Sequence, residues 1–363
     1  MNILFIGPYR QADGWGEAAR STIEALTYTG HNITIRPIFM GVRILSNLDQ
    51  KFIDLENNLY TNYDVVIQNV LPHLVDYDRR FNKNVILVHT ETSNLEYTSW
   101  PYRMNLMDEV WVTTNYGRKS LLASNVKVPI KVICQSVDTS KFLKSYEPID
   151  LGSANNKFKF YFIGENITRK GLMELVAAYS SAFCSYDNVF LLIKTSGQRG
   201  DVENLIKNVR QSLAMYANDA LYPEIGIITD FVTDDFINRL HYTCDCFVMP
   251  SYGEATCIPA MEAMGFGNTP IVTDGIGPTD YITEENGYLV KSTEDVVLTT
   301  NRPLADLYTG YETWRTPNTL SLKYKMIEAY EAVDNRLVKS ALCKKAILEL
   351  SHEKVGKHLE TLL

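Results

Sequence analysis

Short, unbroken apolar runs alternate with amphipathic segments along most of the chain. "NILFIGP" (residues 2–8) is followed by "GEAARSTIEALTYTG" (16–30), whose apolar residues fall at helical spacing, and then by "NITIRPI" (32–38). A strand, a helix of about four turns and a second strand form a crossover unit, and such a unit makes its strands parallel. The alternation continues through "DVVIQNV", "NVILVHT", the helical "PYRMNLM", "EVWVTT", the helical "YGRKSLLAS" and "IKVICQS". A polar stretch, "SYEPIDLGSANNK" (145–157), interrupts it. It then restarts with "FKFYFIG", "VFLLIKT", "IGIITD", "CFVMP", "PIVTD" and "GYLV" as strands, with helical segments between most of them. Strands that are apolar throughout, not on alternate residues, are covered on both faces. The expected fold class is therefore α/β, with two doubly wound, Rossmann-like parallel-sheet domains facing a central cleft, and helices at the C-terminal end.

The expected division is an N-terminal domain over 1–148, a C-terminal domain over 149–335 and terminal helices over 336–363 packing back towards the N-terminal domain. At 363 residues the chain exceeds the usual single-domain size. A formal charge of −8 argues against broad binding of nucleic acid or of an anionic membrane, leaving at most peripheral membrane contact. The basic run 79–83 reads as a solvated loop. Six scattered cysteines without a C-x-x-C pair fit a reducing compartment, and Cys244 and Cys246 suit one face of a buried strand. The N-terminus lacks a signal-peptide pattern and no stretch is long enough to span a bilayer, so the expected location is the cytoplasm.

Ligands of doubly wound sheets bind beyond the carboxyl ends of strands, which directs attention to the loops there. In "SYGEATCIPAMEAMGFG" (251–267), Glu254 precedes and Glu262 follows Pro259, with seven residues between the two acids. Pro259 suits the first position of a helix, which would put Glu254 in the strand-to-helix loop and Glu262 in the first helical turn. A helix N-terminus seats phosphate, and the small residues Ala255, Thr256 and Cys257 let a ligand approach the backbone. Carboxylates there suit hydroxyl-rich groups; the competing reading is a surface loop acid and a helix-dipole partner. Arg169 and Lys170, beyond the strand ending at Gly164, could neutralise a diphosphate, or could form an ordinary solvated basic turn.

In the first half, G-W-G-E-A-A nominally matches the dinucleotide fingerprint, but Gly14 comes seven residues after Gly7 and the loop is too long for it. A glycine loop capping a cleft, with Gly16 closely approached by a ligand, fits better. His89 and Glu91 end a strand where a polar substrate could be held, although a lone histidine is more often structural. Asp76 and Asp78 have a metal-motif spacing but no strand end beneath them, and read as loop. No metal site is implied.

Taken in order, these segments resemble the family 4 retaining glycosyltransferases (glycosyl transferases group 1), whose fold is GT-B. The resemblance rests on Glu254, Pro259 and Glu262, on "RKG", "DCFVMPSYGEA", "GIGPTDYI" and "NGYLV", and on "GHNITI", "DEVWVTTNYGRKSLLAS", "IKVICQSVDTSKF" and "LSHEKVGKHLETLL", and so covers nearly the whole chain. It implies a cytoplasmic hexosyltransferase that moves a sugar from a UDP- or GDP-sugar donor to an acceptor hydroxyl with retained configuration, needing no metal or other cofactor. The acceptor would be a glycan, a lipid-linked or another hydroxylated molecule. By position, Arg169 and Lys170 would bind the diphosphate, Glu254 the transferred sugar, the Ala255–Thr256–Cys257–Ile258 backbone the sugar and phosphates, and Glu262 the ribose. Gly14 and Gly16 would lie over the phosphates, and His89 by the sugar and acceptor, with Glu91 on the acceptor side. The chain departs from the family where Ala255 and Cys257 replace common glycines, where Glu165 stands at the usual arginine and where Asp280 replaces a common glutamate. Rival readings are a GT-B nucleotide-sugar epimerase and a non-catalytic nucleotide-sugar-binding subunit; a modified DNA base is a disfavoured acceptor.

Overall fold

The computed structural model describes residues 1–41, 43–297 and 308–363. They divide into two compact units. The first holds Met1–Thr139, a short stretch ending at Thr313, and Glu349–Leu363; the second begins at Ser140 and also takes Trp314–Leu348. The chain thus passes from the first unit to the second at Thr139/Ser140, ahead of the expected 148/149 boundary.

In the first unit, the elements are β1 (Asn2–Gly7), α1 (Gly14–Thr27), β2 (Asn32–Pro37), α2 (Gln50–Asn57), β3 (Val65–Gln68), β4 (Lys83–Val88), α3 (Trp100–Met104), β5 (Glu109–Val112), α4 (Asn115–Ala123) and β6 (Ile130–Val132). The strands lie in the order β2-β1-β3-β4-β5-β6, every neighbouring pair parallel. The unbroken apolar runs have the predicted cause: β3 is buried at every residue and β4 at all but its first. One face packs Ile3, Phe5, Ile67, Leu87 and Trp111 with Ile23 and Leu26 of α1; the other packs Ile86, Val88, Val110 and Val112 with Trp100 and Met104 of α3. Burial of each such aliphatic side chain contributes about 1.5–3 kcal/mol. Lys83 is the first residue of β4, not loop, and both it and Lys131 pair with Glu109. Asp76 and Asp78 do lie in the loop before β4, where Asp78 meets Arg80.

The second unit contains β7 (Phe158–Ile163), α5 (Leu172–Ala182), β8 (Val189–Lys194), α6 (Arg199–Leu213), β9 (Ile225–Ile228), α7 (Asp234–Thr243), β10 (Cys246–Met249), α8 (Ile258–Phe266), β11 (Thr269–Thr273), β12 (Tyr288–Val290), β13 (Ser292–Val296), all but the first residue of β14 (Thr313–Pro317), α9 (Thr319–Glu331) and α10 (Val333–Leu348). Its parallel sheet runs β12-β11-β10-β7-β8-β9, and β13 and β14 form a separate two-stranded ribbon. The connections from β7 lead out to one side of the sheet and those from β10 to the other. The loops after these two adjacent strands therefore flank the topological switch point, where doubly wound sheets bind ligands. Cys246 lies in β10, whereas Cys244 caps α7; both are buried.

The terminal helices do not form one block. Helix α10 packs on α8 within the second unit, and Cys343 donates to the Asn286 carbonyl at 2.8 Å. The last helix, α11 (His352–Leu362), belongs to the first unit and lies on α1. Gly356 permits that contact, because a Cβ there would lie 2.4 Å from the Ala25 carbonyl oxygen.

Candidate active site

The carboxyl ends of β7 and β10 bring three of the candidate residues together. Beyond β7 the chain makes a 3-10 turn, Thr168–Lys170, and enters α5 through Gly171 in a left-handed conformation (φ 68°). A Cβ on Gly171 would lie 2.0 Å from the Pro250 carbonyl oxygen, just beyond β10. Only glycine permits so close an approach at this φ. The Tyr252 amide also donates to the Arg169 carbonyl at 2.7 Å, so the two loops are joined by backbone contact before any side chain is considered.

Glu254 is buried at this junction, 5% exposed. Its Oε1 accepts from Lys170 Nζ at 2.7 Å, from Ser251 Oγ at 2.9 Å and from Arg169 Nη1 at 3.1 Å. Arg169 Nη1 also donates to the Gly253 carbonyl at 2.8 Å. Burial pushes the carboxyl towards its neutral form, but the adjacent Lys170 and Arg169 outweigh that and hold it below its ordinary value. The cluster thus sets two cations around one ionised carboxylate at a strand end. Glu165, at the departure from the family pattern, is exposed in the same loop.

Ala255, Thr256 and Cys257 lead into α8. Cys257 caps the helix with φ 63° and ψ 70°, a left-handed conformation that costs a non-glycine residue about 1–2 kcal/mol. Burial pushes its thiol up to about 12, so the thiol is a packing group and no nucleophile at neutral pH. Tyr281 Oη donates to the Thr256 carbonyl at 2.6 Å and lies 3.1 Å from that of Cys257, bracing the segment from behind. Gly277 supports it too, since a Cβ there would sit 2.0 Å from the Ala255 carbonyl oxygen. Asp280 closes the 3-10 turn that Gly277 opens.

Two sequence expectations about α8 need correction. Its first residue is Ile258, and Pro259 follows it inside the first turn. Glu262 consequently lies one residue deeper than expected, just past the first turn, and no acidic residue stands in that turn. Its Oε1 pairs with Lys141 of the 3-10 turn Thr139–Leu143, and its Oε2 lies 3.5 Å from His241 Nε2. Burial opposes the charge on Glu262, yet Lys141 and His241 hold its carboxyl down at about 2. Glu254 and Glu262 therefore have separate sets of partners.

The candidates of the first unit are placed differently. Gly14 and Gly16 were expected in a loop, but both lie in the first turn of α1, which Asp13 caps by accepting from the Gly16 amide at 2.9 Å. The space a Gly16 Cβ would need holds the Gln11 carbonyl oxygen, 2.0 Å away, so the chain's own backbone is what requires the glycine. Gly14 is exposed, with nothing among the described residues within 4 Å of a Cβ. His89 follows β4 directly and Glu91 comes two residues later. The Trp15 and His89 rings meet edge to face at 5.2 Å, and His89 Nε2 is buried without a hydrogen bond among the described residues. Burial lowers the imidazole to about 4, leaving it neutral at physiological pH.

Sequence reasoning missed Ser251, Tyr281, Lys141 and His241. Ser251 and Tyr281 lie in segments already singled out; Lys141 and His241 carry no local pattern that leads to Glu262. Among the described residues, no three His, Cys, Asp or Glu side chains are grouped so as to hold a metal ion, and no helix is long and apolar enough to cross a membrane. A cavity of about 650 Å³ beside α6 and β9 is lined by none of the candidate residues; Arg199, Lys207 and Arg210 face Asp187, Glu203 and Asp219 around it.

Residues 147–302 match the family Glycosyl transferases group 1. Glycogen synthase of Lachnospira eligens is 27% identical over 146 residues, 40% of this chain and 28% of that protein, so the chain spans little more than a quarter of that relative's length. Among solved structures, sucrose-phosphate synthase from Thermosynechococcus elongatus superposes with a TM-score of 0.66 at 14% identity, covering 100% of this chain and 98% of that one. Anabaena HepE in complex with UDP and glucose gives 0.68 at 14% identity, covering 100% and 99%. The E. coli trehalose-6-phosphate structure bound with UDP-2-fluoro glucose gives 0.70 at 11% identity, covering 99% and 98%. At these identities the structural likeness speaks for the fold. The matched segment lies mostly within the second of two parallel-sheet units, and the structural likeness gives the pair the GT-B fold.

Proposed function

We propose that the protein is a retaining glycosyltransferase that moves a hexose from a nucleoside diphosphate sugar to an acceptor hydroxyl. The observation that carries this reading is the junction of Arg169, Lys170 and Glu254 at the switch point of the second sheet, beside the N-terminal end of α8. Arg169 and Lys170 would meet the diphosphate of the donor. Glu254 would turn to the hydroxyls of the sugar, and the segment Ala255 to Ile258 would lie along the sugar and phosphates. Glu262 would take the ribose. From the first unit, Gly14 and Gly16 would serve the phosphate side, His89 the sugar and Glu91 the acceptor. A neutral imidazole is a hydrogen-bonding group suited to a sugar hydroxyl. The HepE and E. coli structures hold UDP or a UDP-sugar, which favours a uridine donor for this chain over a guanosine one.

In the transfer, the bond from the anomeric carbon to the diphosphate oxygen breaks and the acceptor oxygen bonds to that carbon from the same face. The acceptor proton passes to the departing phosphate. Charge grows on the leaving group as the ring becomes oxocarbenium-like, and fixed cations with a helix N-terminus stabilise it. No side chain is needed as a covalent nucleophile.

Glu254→Ala and Lys170→Ala test the assignment in a transfer assay with an active donor. Each is expected to lower kcat by about 10²–10³-fold, the usual cost of removing one group that stabilises transition-state charge. Near-normal rates in both would discard the proposed site. Incubation with donor alone separates the rivals: an epimerase returns an isomerised donor, and a non-catalytic subunit returns the donor untouched even when acceptor is added.

A further inference from the structure

Glu262 is fixed by a buried polar chain that the transfer reaction itself does not require. Asn268 Nδ2 donates to Tyr161 Oη at 2.8 Å and to the His241 carbonyl at 2.6 Å. Tyr161 Oη, which accepts from Asn268, shares a 2.7 Å hydrogen bond with His241 Nδ1. With Tyr161 as donor in that bond the imidazole proton sits on Nε2, which lies 3.5 Å from Glu262 Oε2 and has no hydrogen-bond partner among the described residues. His241 is 0% exposed and stacks on Phe266, with ring planes 7° apart. Lys141, which belongs to the same unit, holds the other carboxylate oxygen.

A carboxylate offers about four lone-pair directions. Lys141 occupies one on Oε1 and His241 faces one on Oε2, which leaves one on each oxygen. Two acceptors on adjacent oxygens match two neighbouring hydroxyls. We propose that Lys141 and the Asn268–Tyr161–His241 chain are positioning residues that orient Glu262 for the vicinal diol of the donor's ribose, and so make the site select ribonucleotides over 2′-deoxyribonucleotides. This rests on the reading that Glu262 meets the ribose. The chain supplies the orientation, the burial supplies the rigidity, and removal of one hydroxyl from the ligand leaves one acceptor unpaired.

The test measures Kd for UDP and 2′-deoxy-UDP by calorimetry, with GDP and 2′-deoxy-GDP in parallel, on the full chain and on folded variants. Wild type is expected to prefer the ribonucleotide by about 10–100-fold, the range for a hydrogen bond to a charged group. Tyr161→Phe and Lys141→Met should each reduce that ratio at least about threefold, and Lys141→Arg should restore it. A purely structural role would lower the melting temperature and leave the ratio alone. If both variants keep the wild-type ratio while Glu262→Gln abolishes it, the ribose reading stands and the positioning role falls. If Glu262→Gln also keeps the ratio, the ribose reading falls and this inference with it. If wild type binds none of the four nucleotides, the donor reading itself is overturned. Tyr161→Phe removes a single oxygen, and thermal melting of each variant confirms that it folds.

Discussion

Each sheet is followed, after its first strand, by a connection containing a glycine pressed against a carbonyl oxygen, and the two glycines do opposite things. Gly16 meets the carbonyl of Gln11, a few residues earlier in its own loop. That contact closes a local turn and lets Asp13 cap α1. Gly171 meets the carbonyl of Pro250, beyond a different strand. That contact fastens the two loops flanking the switch point and sets Arg169 and Lys170 beside Glu254. The same backbone device closes a local turn in one unit and joins two strand-end loops in the other.

The largest expected effect follows from exchanging these glycines. Gly171→Ala combines a clash with a left-handed conformation, about 1–3 kcal/mol for the overpacking and about 1–2 kcal/mol for the φ. It should lower the melting temperature and, on the proposed donor reading, remove the rise in melting temperature that UDP is expected to give. Gly16→Ala should lower the melting temperature by less, because Gly16 meets a clash without a left-handed φ. A drop in Gly16→Ala as large as that in Gly171→Ala would break the comparison.

A smaller effect separates the units by pH. His89 in the first unit has its imidazole lowered from 6.5 to about 4, and Glu262 in the second has its carboxyl lowered from 4.5 to about 2. A group depressed on folding stabilises above its unfolded value and loses that contribution as pH falls through its folded value. His89 should therefore cost stability between about pH 6.5 and 4, and Glu262 between about pH 4.5 and 2. Thermal melts against pH should show the first limb flattened in His89→Gln and the second in Glu262→Gln. Equal curves for His89→Gln and wild type above pH 4.5 would remove the assigned burial effect.

The smallest effect concerns the helix caps. Asp13 caps α1 from extended backbone (φ −148°), whereas Cys257 caps α8 from the left-handed region. Cys257→Gly relieves that strain while adding chain entropy to the unfolded state, for a net gain of about 0.5–1 kcal/mol. A lower melting temperature would mean that the buried thiol's packing outweighs the strain.

Both six-stranded sheets were legible in the sequence because strands covered on both faces must be apolar throughout. What escaped was polar. Helix α2 buries only Phe52, and β13 is exposed along most of its length, so neither leaves a hydrophobic signature. Arg169, Lys170 and Glu254 could be read as one site because a parallel sheet aligns its strand ends, whatever the separation in sequence. The depth of Glu262 was misjudged because Pro259 was taken to open α8, whereas Ile258 precedes it and Cys257 forms the cap. The partners of Glu262 were out of reach for a different reason. Lys141 and His241 reach it from a turn and a helix far apart in sequence, and helical spacing on α8 says nothing about what packs over it.

The return of the chain to its first unit has a consequence for synthesis. The Val137 amide donates to the Leu350 carbonyl at 2.9 Å, and Lys131 Nζ reaches the Leu362 carbonyl at 2.8 Å. On a ribosome, residues 1–139 emerge well before α11 does. The second unit has almost all of its chain while the first still lacks the helix that covers α1. The order of translation and the order of completion are therefore reversed, and the apolar surface of α1 beneath Val355 and Leu359 stays open to chaperones until the final helix arrives.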